Sequence, residues 1–376
     1  MRKIHPLTMP KWGLSMVEGR IGDWHVQEGM SIESGAELVG VETDKIFSPL
    51  EAPASGILRR IVARKDDLVP VAGLIGVIAD DTFPDEEIDA FIADFQARFV
   101  PEQTGQADAV SSTMQVQVRA QSLCYLKRGE SEEAALLIHG FGGDLNNWLF
   151  NQEALAEELA VYALDLRGHG GSSKQVGSGT LDEFVEDVRG FLDSLGLQKV
   201  HLVGHSMGGA IAIQFALAYP GRVASLVLIA SAGLGSEIDV EYIEGFISAG
   251  RRKDLLPQIE KLFADRKLVT RQLIENVLKF KRMDGVESSL RAIASQFCPD
   301  GHQALILRDQ VSALAMPACV IWGAEDRILP VSHTRNLPGN LTVEVLSSSG
   351  HMVQMEAATK VNRIIAGFWR GLRGQP

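Results

Sequence analysis

Leu202-Val203-Gly204-His205-Ser206-Met207-Gly208-Gly209-Ala210-Ile211 runs from an apolar stretch through a Gly-x-Ser-x-Gly turn into helix-favouring sequence. Read as strand, sharp turn and helix, it sets Ser206 at the tip of the turn with its hydroxyl above the end of a sheet. A serine hydroxyl is a weak nucleophile and needs a neighbouring base, which in turn needs an acid to fix its tautomer. The helix that begins near Met207 aims its unpaired N–H groups at the same spot. Gly-x-Ser-x-Gly alone recurs by chance, so the surrounding sequence decides.

From about residue 114 onward, buried-strand runs alternate with helical patterns. The runs are Leu136-Leu137-Ile138, Val161-Tyr162-Ala163-Leu164, Val200-His201-Leu202-Val203, Leu226-Val227-Leu228-Ile229, Val320-Ile321-Trp322 and Val343-Glu344-Val345-Leu346. This order predicts a mainly parallel sheet covered by helices on both faces. Residues 236 to about 300 break the alternation with helical, charge-rich sequence, which suits an inserted lid. After the run at 136–138 comes His139-Gly140-Phe141-Gly142-Gly143, a loop able to offer the Phe141 N–H beside that of Met207 as an oxyanion hole.

Strand, elbow, helix and glycine loop together resemble the α/β-hydrolase fold over residues 114 to 372, with Asp165-Leu166-Arg167-Gly168-His169-Gly170 also fitting. That family places serine, acid and histidine in chain order. The resemblance therefore implies Ser206, then Asp326 in Trp322-Gly323-Ala324-Glu325-Asp326, then His351 in Ser349-Gly350-His351. Glu325 is the local rival for the acid, and Ala230-Ser231-Ala232 offers none after the earlier strand. His139, His169 and His205 are expected to hold loops in place.

Residues 1–80 read differently, as short β-branched or apolar patches punctuated by glycine: a small all-β sandwich. Glu42-Thr43-Asp44-Lys45 sits between the strand-like runs Val39-Gly40-Val41 and Ile46-Phe47, so Lys45 is expected at a hairpin tip. With Gly22-Asp23-Trp24, Glu28-Gly29 and Ala52-Pro53-Ala54-Ser55-Gly56, the stretch resembles a lipoyl domain. The resemblance implies lipoate attached to Lys45. Biotin carriers place methionines around their lysine, where this chain has Asp44 and Ile46. Segment 81–113 carries one helix with an apolar stripe at Ile88, Phe91, Ile92, Phe95 and Phe99, then a small-residue polar linker. The stripe is expected to dock on the following domain, residues 114–376, or on another subunit.

Lipoyl domains usually precede an acyltransferase domain bearing His-x-x-x-Asp-Gly. The nearest string here, Phe280-Lys281-Arg282-Met283-Asp284-Gly285, lacks the histidine. A lipoyl domain joined to an α/β-hydrolase domain is similar to the acyltransferase components of acetoin dehydrogenase complexes. That resemblance implies transfer of an acetyl group from lipoyl-Lys45 to coenzyme A, with a thiamine-diphosphate-dependent acetoin-cleaving component, a dihydrolipoamide dehydrogenase and a homo-oligomeric core as partners. Arg251-Arg252-Lys253 could meet coenzyme A phosphates or form a solvated helix face. An esterase or thioesterase with an attached carrier is the alternative, and a non-catalytic scaffold a third reading.

A formal charge of −12 argues against nonspecific nucleic-acid binding. Cys124, Cys298 and Cys319 form no metal-binding or CxxC pattern, which suits a reducing cytoplasm, and no metal is expected. No stretch reaches the ~20 apolar residues of a membrane span, and the first residues lack the apolar core of a secretion signal.

Overall fold

The computed structural model describes residues 3–10, 16–43, 47–99, 113–338 and 341–373. The chain divides into two compact units, the first made chiefly of residues up to 110 and the second of those after it.

The first unit is a sandwich of two four-stranded sheets. One runs β1 (Ile4–Thr8), β8 (Leu74–Ala79), β6 (Gly56–Ile61) and β3 (Ser31–Ile32). The other runs β5 (Phe47–Glu51), β4 (Glu37–Glu42), β2 (Glu18–Trp24) and β7 (Leu68–Pro70). Leu7, Ile21, Leu38, Val41, Leu58 and Ile78 fill the space between them. Pairing is antiparallel throughout, as expected of short hairpin-linked strands. β4 and β5 are in register with Glu42 opposite Phe47.

Helix α1 (Asp85–Arg98) follows, with Asp85, Glu86 and Glu87 in its first turn, where carboxylates complement the helix dipole. Its stripe meets the sandwich that precedes it. Ile88 is fully buried against Leu74, Val77 and Ala79 of β8, with Phe91, Ile92 and Phe95 alongside. Arg59 donates to Asp85 (2.7 Å) and to the carbonyls of Asp80 and Phe83, while Arg60 reaches Asp89 at 3.0 Å. The carrier strand β8 exposes the apolar surface that the stripe requires.

The second unit has one eight-stranded sheet. Its order is β16 (Leu341–Leu346), β15 (Ala318–Gly323), β14 (Val223–Ile229), β13 (Val200–His205), β11 (Ala134–Ile138), β12 (Ala160–Leu164), β10 (Gln121–Arg128) and β9 (Met114–Val118). The six strands from β16 to β12 are parallel, and β10 and β9 turn antiparallel at the edge. β11, β12, β13 and β15 are buried at every residue, as a sheet covered on both faces demands. The helices of this unit include α2 (Gln152–Leu155), α3 (Leu181–Ser194), α4 (Met207–Ala218), α9 (Val353–Glu356) and α10 (Ala358–Arg373). Between β14 and β15 lie α5 (Val240–Ser248), α6 (Arg252–Lys261), α7 (Arg271–Lys281) and α8 (Val286–Phe297). Among the described residues no helix is long and apolar enough to cross a membrane.

Candidate active site

Parallel pairing brings four loops to one end of the sheet. Ile138 is in register with Gly204, His205 with Ile229, Ile229 with Ile321, and Gly323 with Leu346. The loops that leave β11, β13, β15 and β16 therefore emerge at one carboxyl edge, where open α/β sheets bind ligands.

Ser206 connects β13 to α4 at φ 54° and ψ −120°, a left-handed conformation that a non-glycine residue adopts at a cost of about 1–3 kcal/mol. Its backbone is pinned: the Ser206 N–H donates to the Ile229 carbonyl at 3.0 Å, and its carbonyl accepts from Gly209 and Ala232. The turn closes tightly because residue 208 is glycine. A Cβ there would lie 2.3 Å from the Ile138 carbonyl oxygen.

His351 and Asp326 meet as the sequence implies, with Nδ1 2.9 Å from Oδ2 and both side chains buried. The other carboxylate oxygen accepts the N–H groups of Ile328 and Leu329 at 2.8 and 3.0 Å. Asp326 is thus aimed by its own loop. Its bond to Nδ1 leaves Nε2 of His351 as the atom able to take a proton. Glu325 is exposed, and only its backbone participates, donating to the Ser349 carbonyl at 2.9 Å.

His351 is also held through its main chain. His205 Nε2 donates to the His351 carbonyl at 3.0 Å, and the two rings lie 4.8 Å apart. Burial, with His351 close by, holds His205 well below the ordinary histidine range, so it stays neutral and adds no charge to oppose a His351 imidazolium. On the other side Glu356 accepts from Gly350 N–H at 2.5 Å and from Ala264 N–H at 2.8 Å, and Met352 N–H donates to the Leu262 carbonyl at 3.0 Å. The segment after α6 is thereby tied to the histidine loop. Glu356 has no signature of its own; the sequence hint is a lone carboxylate ending the uncharged run Met352-Val353-Gln354-Met355.

The loop after β11 is organised by two more buried histidines. His169 Nε2 accepts the Gly142 N–H at 3.1 Å while its Nδ1 donates to the Arg167 carbonyl. His139 Nε2 accepts the Leu166 N–H at 3.0 Å. Both roles need neutral rings, and burial lowers His169 to about 4 and His139 well below its usual value. Gly143 N–H is taken by the Gly140 carbonyl. Among the described residues the Phe141 N–H has no acceptor, and Met207, as first residue of α4, has its N–H ahead of the helical ladder. Each residue singled out for the serine chemistry thus falls at this edge. Lys45, with Asp44 and Ile46, lies outside the described residues.

Comparison with known proteins agrees with this geometry. Residues 135–358 match the family described as alpha/beta hydrolase fold, and residues 5–78 match the biotinyl/lipoyl family described as biotin-requiring enzyme. The chain is 49% identical over 98% of its length to a dihydrolipoyllysine-residue acetyltransferase component of the acetoin cleaving system from Pseudomonas putida, which is covered in full. It is 41% identical to the protein of the same description from Cupriavidus necator, over 96% of each chain. Among solved structures, a bacterial membrane phospholipase A superposes with a TM-score of 0.63 at 28% identity, over 70% of this chain and 87% of its own. Matched from end to end by such acetyltransferases, the chain belongs to the family of dihydrolipoyllysine-residue acetyltransferase components of acetoin cleaving systems, an enzyme with a biotinyl/lipoyl-type domain ahead of an α/β-hydrolase domain.

Proposed function

We propose that this chain moves an acetyl group from a thioester on its own carrier domain to coenzyme A, with Ser206, His351 and Asp326 as the reacting site. The observation that carries the reading is the buried His351–Asp326 couple at the sheet edge that holds the strained Ser206, on a chain that also carries a lipoyl-type sandwich. The register of β4 and β5 suits an attachment site, since it leaves Thr43 to Ile46 as the whole connection, with Lys45 inside it. Lys45 would hold lipoate, which when bound supplies a thiol that carries acetyl as a thioester.

In the first half-reaction the Ser206 hydroxyl adds to the thioester carbonyl carbon while its proton passes to His351 Nε2. The Phe141 and Met207 amides receive the oxyanion. As the carbon–sulfur bond breaks, His351 would return the proton to the departing sulfur. In the second half, coenzyme A gives its thiol proton to the same nitrogen and its sulfur attacks the acyl carbon. The carbon–oxygen bond breaks and Ser206 recovers its proton. Asp326 holds the imidazole throughout and steadies its charged form. Water at the same position would yield acetate, so α5 to α8 would act as the lid that excludes it. The partners this role requires are a thiamine-diphosphate-dependent component that forms the acetyl group and a dihydrolipoamide dehydrogenase that reoxidises the dithiol.

The test uses lipoylated full-length protein, acetylated on the reduced carrier, with and without coenzyme A. Acetyl-coenzyme A from the native protein and not from Ser206→Ala is the expected result. Acetate formed whatever the supply of coenzyme A would make the second unit a hydrolase. Equal acetyl-coenzyme A from both proteins would remove Ser206 from the mechanism.

A further inference from the structure

We propose that Phe280 and Lys281, adjacent residues at the end of α7, are positioning residues that set the Phe141 amide from two sides: Phe280 through His169 and Lys281 through Phe246. The inference rests on the reading of Ser206 and the Phe141 amide given above.

Gly142 stands at φ +70°, and the ring of Phe246 in α5 packs so closely that a Cβ on Gly142 would lie 2.5 Å from it. Phe246 is also edge-on to the Phe141 ring at 6.1 Å, and the ring of His169 lies 6.4 Å from Phe141 on another side. The peptide planes that aim the Phe141 N–H are therefore bounded by Phe246 and by the His169–Gly142 hydrogen bond.

Both of these props are held by α7. The Phe280 ring stacks on His169 at 6.3 Å with 16° between planes. The Lys281 ammonium donates to the carbonyls of Phe246 and Ile247 in the last turn of α5, where a cation complements the helix dipole. It also lies 4.9 Å from the centre of the Phe246 ring. Lys281 is half-buried, and burial lowers its pKa, consistent with a cation spent on fixed carbonyls and not on water. Two neighbours on one helix thus grip the two walls of a loop whose free amide must be placed to within a fraction of an ångström.

Lys281→Met keeps the length and removes the charge. In full-length lipoylated protein, kcat for acetyl-coenzyme A formation should fall about 10-fold, less than the ~10²–10³ for deleting an oxyanion donor outright. KM should stay within about twofold, because the thioester ground state does not use the amide. The deciding readout is the affinity of butylboronic acid, which bonds to Ser206 Oγ and places a tetrahedral oxygen at the Phe141 and Met207 amides. Its Ki should rise by the factor by which kcat/KM falls, and Lys281→Arg should restore most of both. A fall in kcat/KM with unchanged boronate affinity would reduce Lys281 to a structural role and overturn the proposal, as would no change in either. If Lys281→Met does not fold, Phe280→Leu gives the same readout by removing the ring over His169. Ser206→Ala must abolish boronate binding; if binding persists, it is the reading of the site that fails.

Discussion

At the scale of single residues, the decisive contrast is between two neighbouring carboxylates. Asp326 is buried, bonded to His351 Nδ1, and aimed by two backbone amides, whereas the Glu325 side chain is exposed. Asp326→Asn preserves volume but can present an amide N–H to Nδ1, which favours the imidazole tautomer unable to act as base. Acetyl-coenzyme A formation should drop about 10²–10⁴-fold, while Glu325→Gln should stay within about twofold. Steady-state kcat of the two variants measured side by side checks this, and a larger loss in Glu325→Gln would reverse the assignment. Ser206 and Asp326 follow runs that are buried at every residue, whereas β16, the run before His351, is largely exposed and not the buried strand its sequence suggests, so that histidine was legible only through the chain order the family resemblance implies. His205, Glu356 and Lys281 were not legible as supports. Their roles depend on backbone groups 146, 6 and 35 positions away that only the fold brings near.

At the scale of elements, α1 shows what periodicity can and cannot tell. The spacing of Ile88, Phe91, Ile92 and Phe95 shows that one face is covered, but says nothing about the covering surface. That surface is β8, whose run Leu74-Ile75-Gly76-Val77-Ile78-Ala79 is buried on both sides and so needs a cover of its own. The edge strand β9 was equally hard to see, since Met114-Gln115-Val116-Gln117-Val118 alternates with polar residues and lacks the unbroken apolar run that marks the central strands. Two kinds of contact hold α1, the apolar stripe and the Arg59/Arg60 ion pairs with Asp85 and Asp89, and their weights differ. The aspartates are mostly exposed, so solvent screens those pairs and they contribute little. Ile88 is fully buried, and Ile88→Ala should cost the first unit about 2–5 kcal/mol. Denaturant unfolding followed by the fluorescence of Trp24 checks the figure, and a loss no larger than that of Asp89→Asn would show that charge, not packing, secures the helix.

At the scale of the whole molecule, the two units differ in how they hold histidine. His139, His169, His201 and His205 are buried in the second unit, and burial lowers them all, His169 and His201 to about 4. Near pH 5 they are neutral when folded, whereas in the unfolded chain they bind protons below about pH 6.5. Unfolding therefore takes up protons, and stability falls as pH drops from 6.5, by about 1.4 kcal/mol per pH unit for each such group. Asp165 opposes them: burial raises it to about 7, so the folded state keeps a proton that the unfolded chain releases, and it favours the fold in this window. Asp187 and Glu356, also raised by burial, act in the same direction as Asp165 and temper the loss. The four histidines outweigh them between pH 6.5 and 5. Among the described residues the first unit has no buried histidine, so it has no such acid liability. Calorimetry between pH 7 and 5 should show the transition of the second unit falling by on the order of 10 °C while that of the first moves by a few degrees. His201→Asn, which can keep a hydrogen bond to Ser225, should flatten the slope of the second transition by about one proton. Equal shifts in both transitions would show that these histidines do not govern the acid response and that the units do not unfold independently.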